Sequence, residues 1–226
     1  VGRGLKRDAK KLKVCLVSGS FEYKSDASLA EFQKYLEGNF PVECSRAFAK
    51  SDKDRDLPGI ENLEKCDVAI FFTRRLQIDG PALDAVKKYV ASKKPIVAIR
   101  TASHGFQNWL AMDREVLGGD YKSHYGPGVA DVRIVAKQKD HPILKGISEF
   151  KTNGSLYKNP NVASDVTVLL RGYMGKETEP VAWVREKDGR RVFYTSLGHP
   201  DDFKNENFLR LLANGLAWAA KRELKK

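Results

Sequence analysis

Cysteine is scarce in this chain of 226 residues: only Cys15, Cys44 and Cys66 are present. An odd count cannot close into a disulfide framework, and no CxxC pair or Cys/His metal spacing accompanies these residues. Cys15 lies inside an apolar run, Cys44 in an expected strand and Cys66 just ahead of another, so three reduced, mostly buried thiols are expected. Long apolar runs are also missing; none nears the roughly 20 residues that a membrane-spanning helix needs. There is no internal repeat, low-complexity block or long linker. With 42% hydrophobic and 31% charged residues, the composition is that of a folded, soluble protein.

Acidic residues are outnumbered, which leaves a formal charge of +11. Much of the excess sits at the ends, in "GRGLKRDAKKLK" and "KRELKK", while interior basic residues are spread among acids. No basic stripe interleaved with aromatics is present, so the tails read as solvated and neither nucleic acid nor membrane is an expected partner. The first residue is Val, so the compartment stays open: cytoplasmic, or exported after removal of an unseen signal peptide.

Hydrophobic periodicity orders the chain. "LKVCLVSGS" is a short apolar run ending in a turn, a buried strand. "SDASLAEFQKYLEGNF" puts Leu29, Phe32 and Leu36 on one helical face, with Ser25 or Asp26 as the expected cap. "VECSRAF" and "CDVAIFFT" are strands, the second apolar almost throughout and therefore covered on both faces. "DGPALDAVKKYVASKK" is a helix with Leu83, Val86 and Val90 inward and Pro81 in its first turn; "PIVAIR" is the next buried strand. Beyond residue 105, "FQNWLAMDREVLGG" predicts a short helix ending at Gly118. "ADVRIVA", "DVTVLLRG", "EPVAWVRE" and "RRVFYTSLG" are strands, the last two joined by a "KDG" hairpin turn. A final helix is expected from Lys204 to Arg222, with Phe208, Leu211, Leu212, Gly215, Leu216 and Ala219 facing the sheet. The order predicts a flavodoxin-like α/β three-layer sandwich, its central sheet mainly parallel with an antiparallel extension. It is expected to be one domain over residues 13–222, behind a basic tail of residues 1–12.

In such sheets ligands bind beyond the carboxyl ends of the parallel strands. Those ends read "SGSFEYKSD", "TRRLQ", "RTASHGF" and "GHPDDF", each polar directly after an apolar run. Arg100, His104 and His199 are therefore expected to converge. Each also has a structural alternative. Asp201 or Asp202 can cap the final helix, His199 can bond to backbone, and Tyr23 and Tyr157 can be packing aromatics. Arg74 and Arg75 are adjacent, so at least one faces solvent. Arg100 directly follows "PIVAI", where an unpaired guanidinium is costly, and so requires a polar or anionic partner. His104, His124, His141 and His199 supply enough donors for a metal, but no pair has HExxH-like spacing, and His141 before Pro142 suits a turn. No cofactor is expected; a divalent metal is the alternative.

"HPILKGI", "LYK", "EPVAWVRE" with "RRVFYTSLGHPDDF", and "FLRLLANGLAWAA" resemble the ThuA-like, trehalose-utilisation family, from about Lys13 to Ala220. "GGDYKSHYG", with His124, resembles a further family segment. The family lies within the class I glutamine amidotransferase-like superfamily, whose amidotransferases carry a nucleophilic Cys on a turn after a strand. The comparable turn here is "AIRTASHG", with Arg100 near the nucleophile's position. Without that Cys or a Cys–His pair, glutamine hydrolysis through a thiolate is excluded. The chain also departs from the ThuA-like pattern, with Arg100 where many members have His and "GSLY" where an acidic "DELY"-like segment is usual. Gly154 and Ser155 thus replace an acidic pair, while Leu156 and Tyr157 fit.

The resemblance implies carbohydrate metabolism, with 3-keto-glycosides as substrates and a partner sugar oxidoreductase supplying them. On that reading His199 is the base, Asp201 or Asp202 orients it, and Arg100 with His104 stabilises an enolate oxygen. Ser18, Tyr23, Arg74, His124 and Tyr157 are the expected substrate-binding residues. The alternatives are a sugar-binding domain without turnover and a metal-dependent hydrolase; a homo-oligomer is compatible with each.

Overall fold

The computed structural model describes residues 10–225. Of the basic tail expected over residues 1–12, residues 1–9 lie outside the described residues, and Leu12 already belongs to the first strand. In chain order the first half contains β1 (Leu12–Gly19), α1 (Ser25–Asn39), β2 (Val42–Phe48), α2 (Asn62–Lys65), β3 (Val68–Thr73), α3 (Gly80–Ala91) and β4 (Ile96–Ile99). The second half contains β5 (Ser123–His124), β6 (Ala130–Ile134), β7 (Phe150–Thr152), β8 (Tyr157–Lys158) and β9 (Val166–Met174). It closes with β10 (Glu177–Lys187), β11 (Arg190–Thr195) and α4 (Glu206–Ala219). Nine strands form one sheet in the order β2-β1-β3-β4-β11-β10-β9-β6-β7. The first five run parallel, and β10, β9, β6 and β7 extend the sheet antiparallel. This is the expected mainly parallel α/β sheet with an antiparallel extension.

Strand periodicity divides the core into two. Val68, Ile70 and Phe72 of β3 meet Leu29, Phe32 and Leu36 of α1 and Phe208, Leu211, Leu212 and Leu216 of α4. Ala69 and Phe71 point the other way, onto Leu83, Val86 and Val90 of α3. Successive side chains of a strand face opposite sides, so an all-apolar strand must be covered twice, and three layers result. Each large apolar side chain buried this way contributes roughly 1.5–3 kcal/mol.

Three local expectations are corrected. The helix expected over residues 106–119 is a 3₁₀ turn at Gln107–Trp109 and a π-helical turn at Asp113–Leu117. Its carbonyls are taken from outside: Arg185 donates to the oxygens of Glu115 and Val116, and Trp183 Nε1 donates to that of Leu117. Those donors satisfy terminal carbonyls that a helix end leaves without internal partners. The final helix starts at Glu206 rather than Lys204 and ends at Ala219 rather than Arg222. Its cap is Asn205, whose Oδ1 accepts from the Asn207 N–H, and neither Asp201 nor Asp202 has that role. At α1 the cap position is Lys24, in the left-handed region at φ 48°, and the Ser25 hydroxyl accepts from the Ser20 N–H instead. His141 does sit at a turn, accepting from the Ile143 N–H. No helix among the described residues is long and apolar enough to cross a membrane.

α4 lies on β11 through Gly215, where an added Cβ would stand 2.2 Å from Phe193 Cδ1. Alanine is the better helix former by about 1 kcal/mol. Gly215→Ala is nonetheless expected to destabilise the fold by about 1–3 kcal/mol through overpacking, read as a lowered urea midpoint at unchanged m-value.

Candidate functional site

The loops after β1, β3, β4 and β11 converge at one end of the sheet, and hydrogen bonds join the first three. Thr101 Oγ1 donates to Ser20 Oγ at 2.9 Å, and the Ser18 and Ser25 hydroxyls pair at 2.8 Å. The Arg74 N–H donates to Gly19 O, the Arg75 N–H to His104 O at 2.7 Å and the Leu76 N–H to Gly105 O. Ser18 is 2% exposed, so its hydroxyl serves this scaffold rather than a ligand.

Arg100 stands at the turn from β4 into a short 3₁₀ segment, Arg100–His104, with a left-handed φ of 48° and 1% exposure. A non-glycine residue in that region is strained and needs support from its surroundings. Gly198, at φ 133°, provides room: a Cβ there would press on Ile99 and Arg100. The guanidinium donates to Ser196 O (2.8 Å), to the Tyr23 hydroxyl (3.2 Å) and to Ser155 O (3.3 Å). The Tyr23 and Tyr157 rings enclose it, with centroids 4.3 and 4.6 Å from Cζ. Nε has no partner. Among the described residues no carboxylate pairs with this cation; carbonyl dipoles and π faces carry the compensation.

His104, four residues on, is 6% exposed and stacks on Tyr121 at 4.3 Å between centroids. Tyr157 lies 6.0 Å from it, and His124 approaches the far side of Tyr157 at 6.5 Å, the register position opposite it in the β5–β8 pair. Burial, then Arg75, Arg74 and Arg100, push the His104 imidazole down to about 3, so it is neutral at physiological pH. Its Nδ1 lies 3.0 Å from Ser103 Oγ. When that hydroxyl donates to Nδ1, the ring proton resides on Nε2, which has no protein partner among the described residues.

The β11 turn carries the other expected residues. Asp202 is 2% exposed, and its Oδ2 accepts from the Gly198 N–H (2.9 Å), the His199 N–H (2.9 Å) and Thr152 Oγ1 (3.1 Å). It therefore ties the turn to β7 and does not orient the His199 ring. That ring faces Asp201, with Nδ1 3.5 Å from Oδ2 while accepting from the Asp201 N–H. Asp201 is also shared with Lys204 and Asn153. Arg74 is engaged at the rim by Glu22 at 2.8 Å.

The fold thus brings Arg100, Tyr23, Tyr157, His104 and His124 into one cluster. The backbone of the His199 turn abuts Arg100, but the His199 ring pairs with Asp201 rather than with the cluster. Tyr121 and Asp113 were not anticipated. Asp113 Oδ2 accepts from the Tyr121 N–H at 2.9 Å, holding the ring that covers His104. Its Oδ1 is buried without a partner, and burial pushes its carboxyl up to about 6. Asp113 lies in the segment expected to be a helix, and Tyr121 just beyond it in "GGDYKSHYG", where only His124 stood out. Among the described residues no three His, Cys, Asp or Glu side chains gather into a group that could hold a metal ion. A groove of about 700 Å³ lies away from this cluster, bordered by Lys145, Arg191, Trp218 and Arg222.

A family model described as trehalose utilisation, ThuA, matches residues 13–219. A ThuA-like protein from Parabacteroides merdae superposes with a TM-score of 0.75 at 18% identity, covering 96% of this chain and 92% of that one. A ThuA-like protein from Bacteroides uniformis gives 0.71 at 17% identity, with coverages of 97% and 95%. A β-galactosidase from Bacillus circulans sp. alkalophilus shares the fold over 97% of this chain and 32% of its own, with a TM-score of 0.60 at 14% identity. No curated protein matches the chain.

Two titrations check the electrostatics. The His104 ring proton shifts are expected to stay constant from about pH 8 to pH 4.5, because the folded value lies far below the ordinary 6.5. Asp113 has the opposite linkage: a carboxyl raised from 3.8 to about 6 contributes stability below 3.8 that is lost as pH rises through 6. The stability of the native protein relative to Asp113→Asn is therefore expected to fall between those values, followed by urea unfolding at several pH values.

Proposed function

This chain belongs to the ThuA, trehalose-utilisation, family, which ties it to carbohydrate metabolism, and on that premise we propose that it converts 3-keto-glycosides by acid–base chemistry. The observation that carries the reading is His104: neutral, stacked on Tyr121, with Nε2 free of protein partners and a guanidinium behind it. A ketone at C3 acidifies the neighbouring C2–H. A base removes that proton, and the electron pair of the C–H bond moves onto the ketone oxygen as an enolate. A neutral imidazole donating from Nε2 suits that developing oxyanion, since it strengthens its hydrogen bond as charge builds without starting as a competing acid. The enolate then collapses either by reprotonation, which isomerises the sugar, or by expelling the glycosidic oxygen from C1, which is elimination.

His199 is our choice of base. Its ring is partly exposed at the neighbouring strand end, with Nδ1 3.5 Å from Asp201 Oδ2. Arg100 has a different role from the direct contact that residue type first suggests. Its Nη donors are engaged and it is 1% exposed, so it acts as a fixed positive charge beneath Tyr23 and Tyr157. A substrate of this kind must come from a sugar-oxidising reaction, which makes a sugar oxidoreductase the expected pathway partner.

A sugar-binding domain without turnover is the second reading. It is favoured by Gly154 and Ser155, which present backbone to Arg100 where the family pattern would bring carboxylates. One experiment separates the two. With a methyl 3-keto-glucoside followed by NMR, native protein is expected to give product, and His199→Ala is expected to lose about 10²–10⁴-fold in kcat. Undiminished turnover by that variant removes His199 as base, and binding without product by native protein selects the second reading.

A further inference from the structure

Two arginines end adjacent parallel strands in strained backbone. Arg75, just after β3, has φ 44°, and Arg100, just after β4, has φ 48°. Each such residue costs of order 1–3 kcal/mol and persists where its surroundings fix it, so an observed outlier invites a functional explanation. The surroundings here are a short parallel pairing between the two loops. Arg75 donates its N–H to His104 O, Leu76 bridges Phe106, and the Gln107 N–H returns to Leu76 O. The strain fixes the Arg75 backbone directly against that of His104.

The charges there are unbalanced. The Arg75 side chain is exposed and, among the described residues, donates only to a neutral group, Gln107 Oε1, at 3.1 Å. Arg100 is buried with no carboxylate in contact and with Nε unpartnered. Two carboxylates stand near. Glu22 is committed to Arg74, and Asp202 is committed to the backbone N–H groups of Gly198 and His199. The same three arginines lead the charged groups that keep His104 neutral. A strand-end cluster carrying this much uncompensated positive charge draws anions and disfavours cations, and a guanidinium fork suits a planar or tetrahedral oxyanion.

Resting on the carbohydrate reading above, we propose that the ligand is an anionic sugar derivative whose carboxylate or phosphate is seated on Arg75 beside His104, with Arg100 as the charge behind it. Arg75 is then a specificity-determining residue, the group that separates acidic from neutral sugars. A neutral glycoside leaves it in water with nothing to hold.

The test is binding, so it does not depend on turnover. Methyl glucoside, glucuronate, glucose 6-phosphate and inorganic phosphate are titrated into the protein by NMR and calorimetry at low and at 0.5 M salt. The expected result is that one of the two charged sugars binds at least about tenfold more tightly than methyl glucoside, a preference that salt weakens. Arg75→Gln is expected to abolish the preference, and Lys93→Gln, which removes an equal charge elsewhere on the surface, is expected to retain it. Whichever of glucuronate and glucose 6-phosphate is favoured identifies the anion as carboxylate or phosphate. Equal affinity for neutral and charged sugars, or a preference that survives Arg75→Gln, overturns the proposal. Inorganic phosphate binding as tightly as the sugar phosphate also overturns it, leaving an anion site blind to sugar. Failure of the keto-sugar reading looks different, since it is absence of product from 3-keto-glycosides of any charge.

Discussion

The arrangement at the ends of the parallel strands depends on one buried cation. Arg100 takes its guanidinium out of water without a carboxylate to meet it, a situation that is costly unless each face and edge finds something polarisable. It finds the π faces of Tyr23 and Tyr157, the Tyr23 hydroxyl and the carbonyls of Ser196 and Ser155. Those partners come from the β1 loop, the β11 end and the segment before β8, so one side chain ties together segments distant in the chain. The backbone beneath it is held equally firmly, with the Tyr194 hydroxyl donating to Arg100 O at 2.8 Å.

The same cation links positions 100 and 154. Position 100 carries an arginine and position 154 no side chain at all. A Cβ on Gly154 would stand 2.9 Å from Arg100 Nη1. The guanidinium fills the space that a side chain at Gly154 would need. Backbone carbonyls of Ser196 and Ser155 accept from it there. The chemistry left to the site is accordingly that of neutral imidazole and hydroxyl groups set in a positive field.

Burial sets that field's consequences. It pushes His104 down and Asp113 up, and in each case favours the uncharged form. The two are connected through Tyr121, whose N–H is held by Asp113 and whose ring covers His104. Asp113 therefore supports the aromatic wall through the Tyr121 backbone. The π-helical turn that presents Asp113 has its terminal carbonyls capped by Arg185 and Trp183 from across the sheet.

Much of the architecture was legible along the chain, because it rests on local periodicity. Runs such as "VAIFFT" and the i, i+3, i+4 spacing from Phe208 to Ala219 carry burial information within a few residues, and the expected strands and helices follow from them. Arg100 also declared itself, since a guanidinium directly after a buried strand must find partners wherever the chain then goes. What those partners would be was not legible. The cage from Tyr23 and Tyr157, the stacking of Tyr121 on His104 and the commitment of Asp202 to backbone rather than to the His199 ring all join segments far apart in sequence. Their distances are set by how loops pack across the sheet, and one-dimensional spacing holds no record of that. The pattern of apolar residues decided the layers; the identity of each polar side chain's neighbours was decided by long-range packing, where contact depends on position in space.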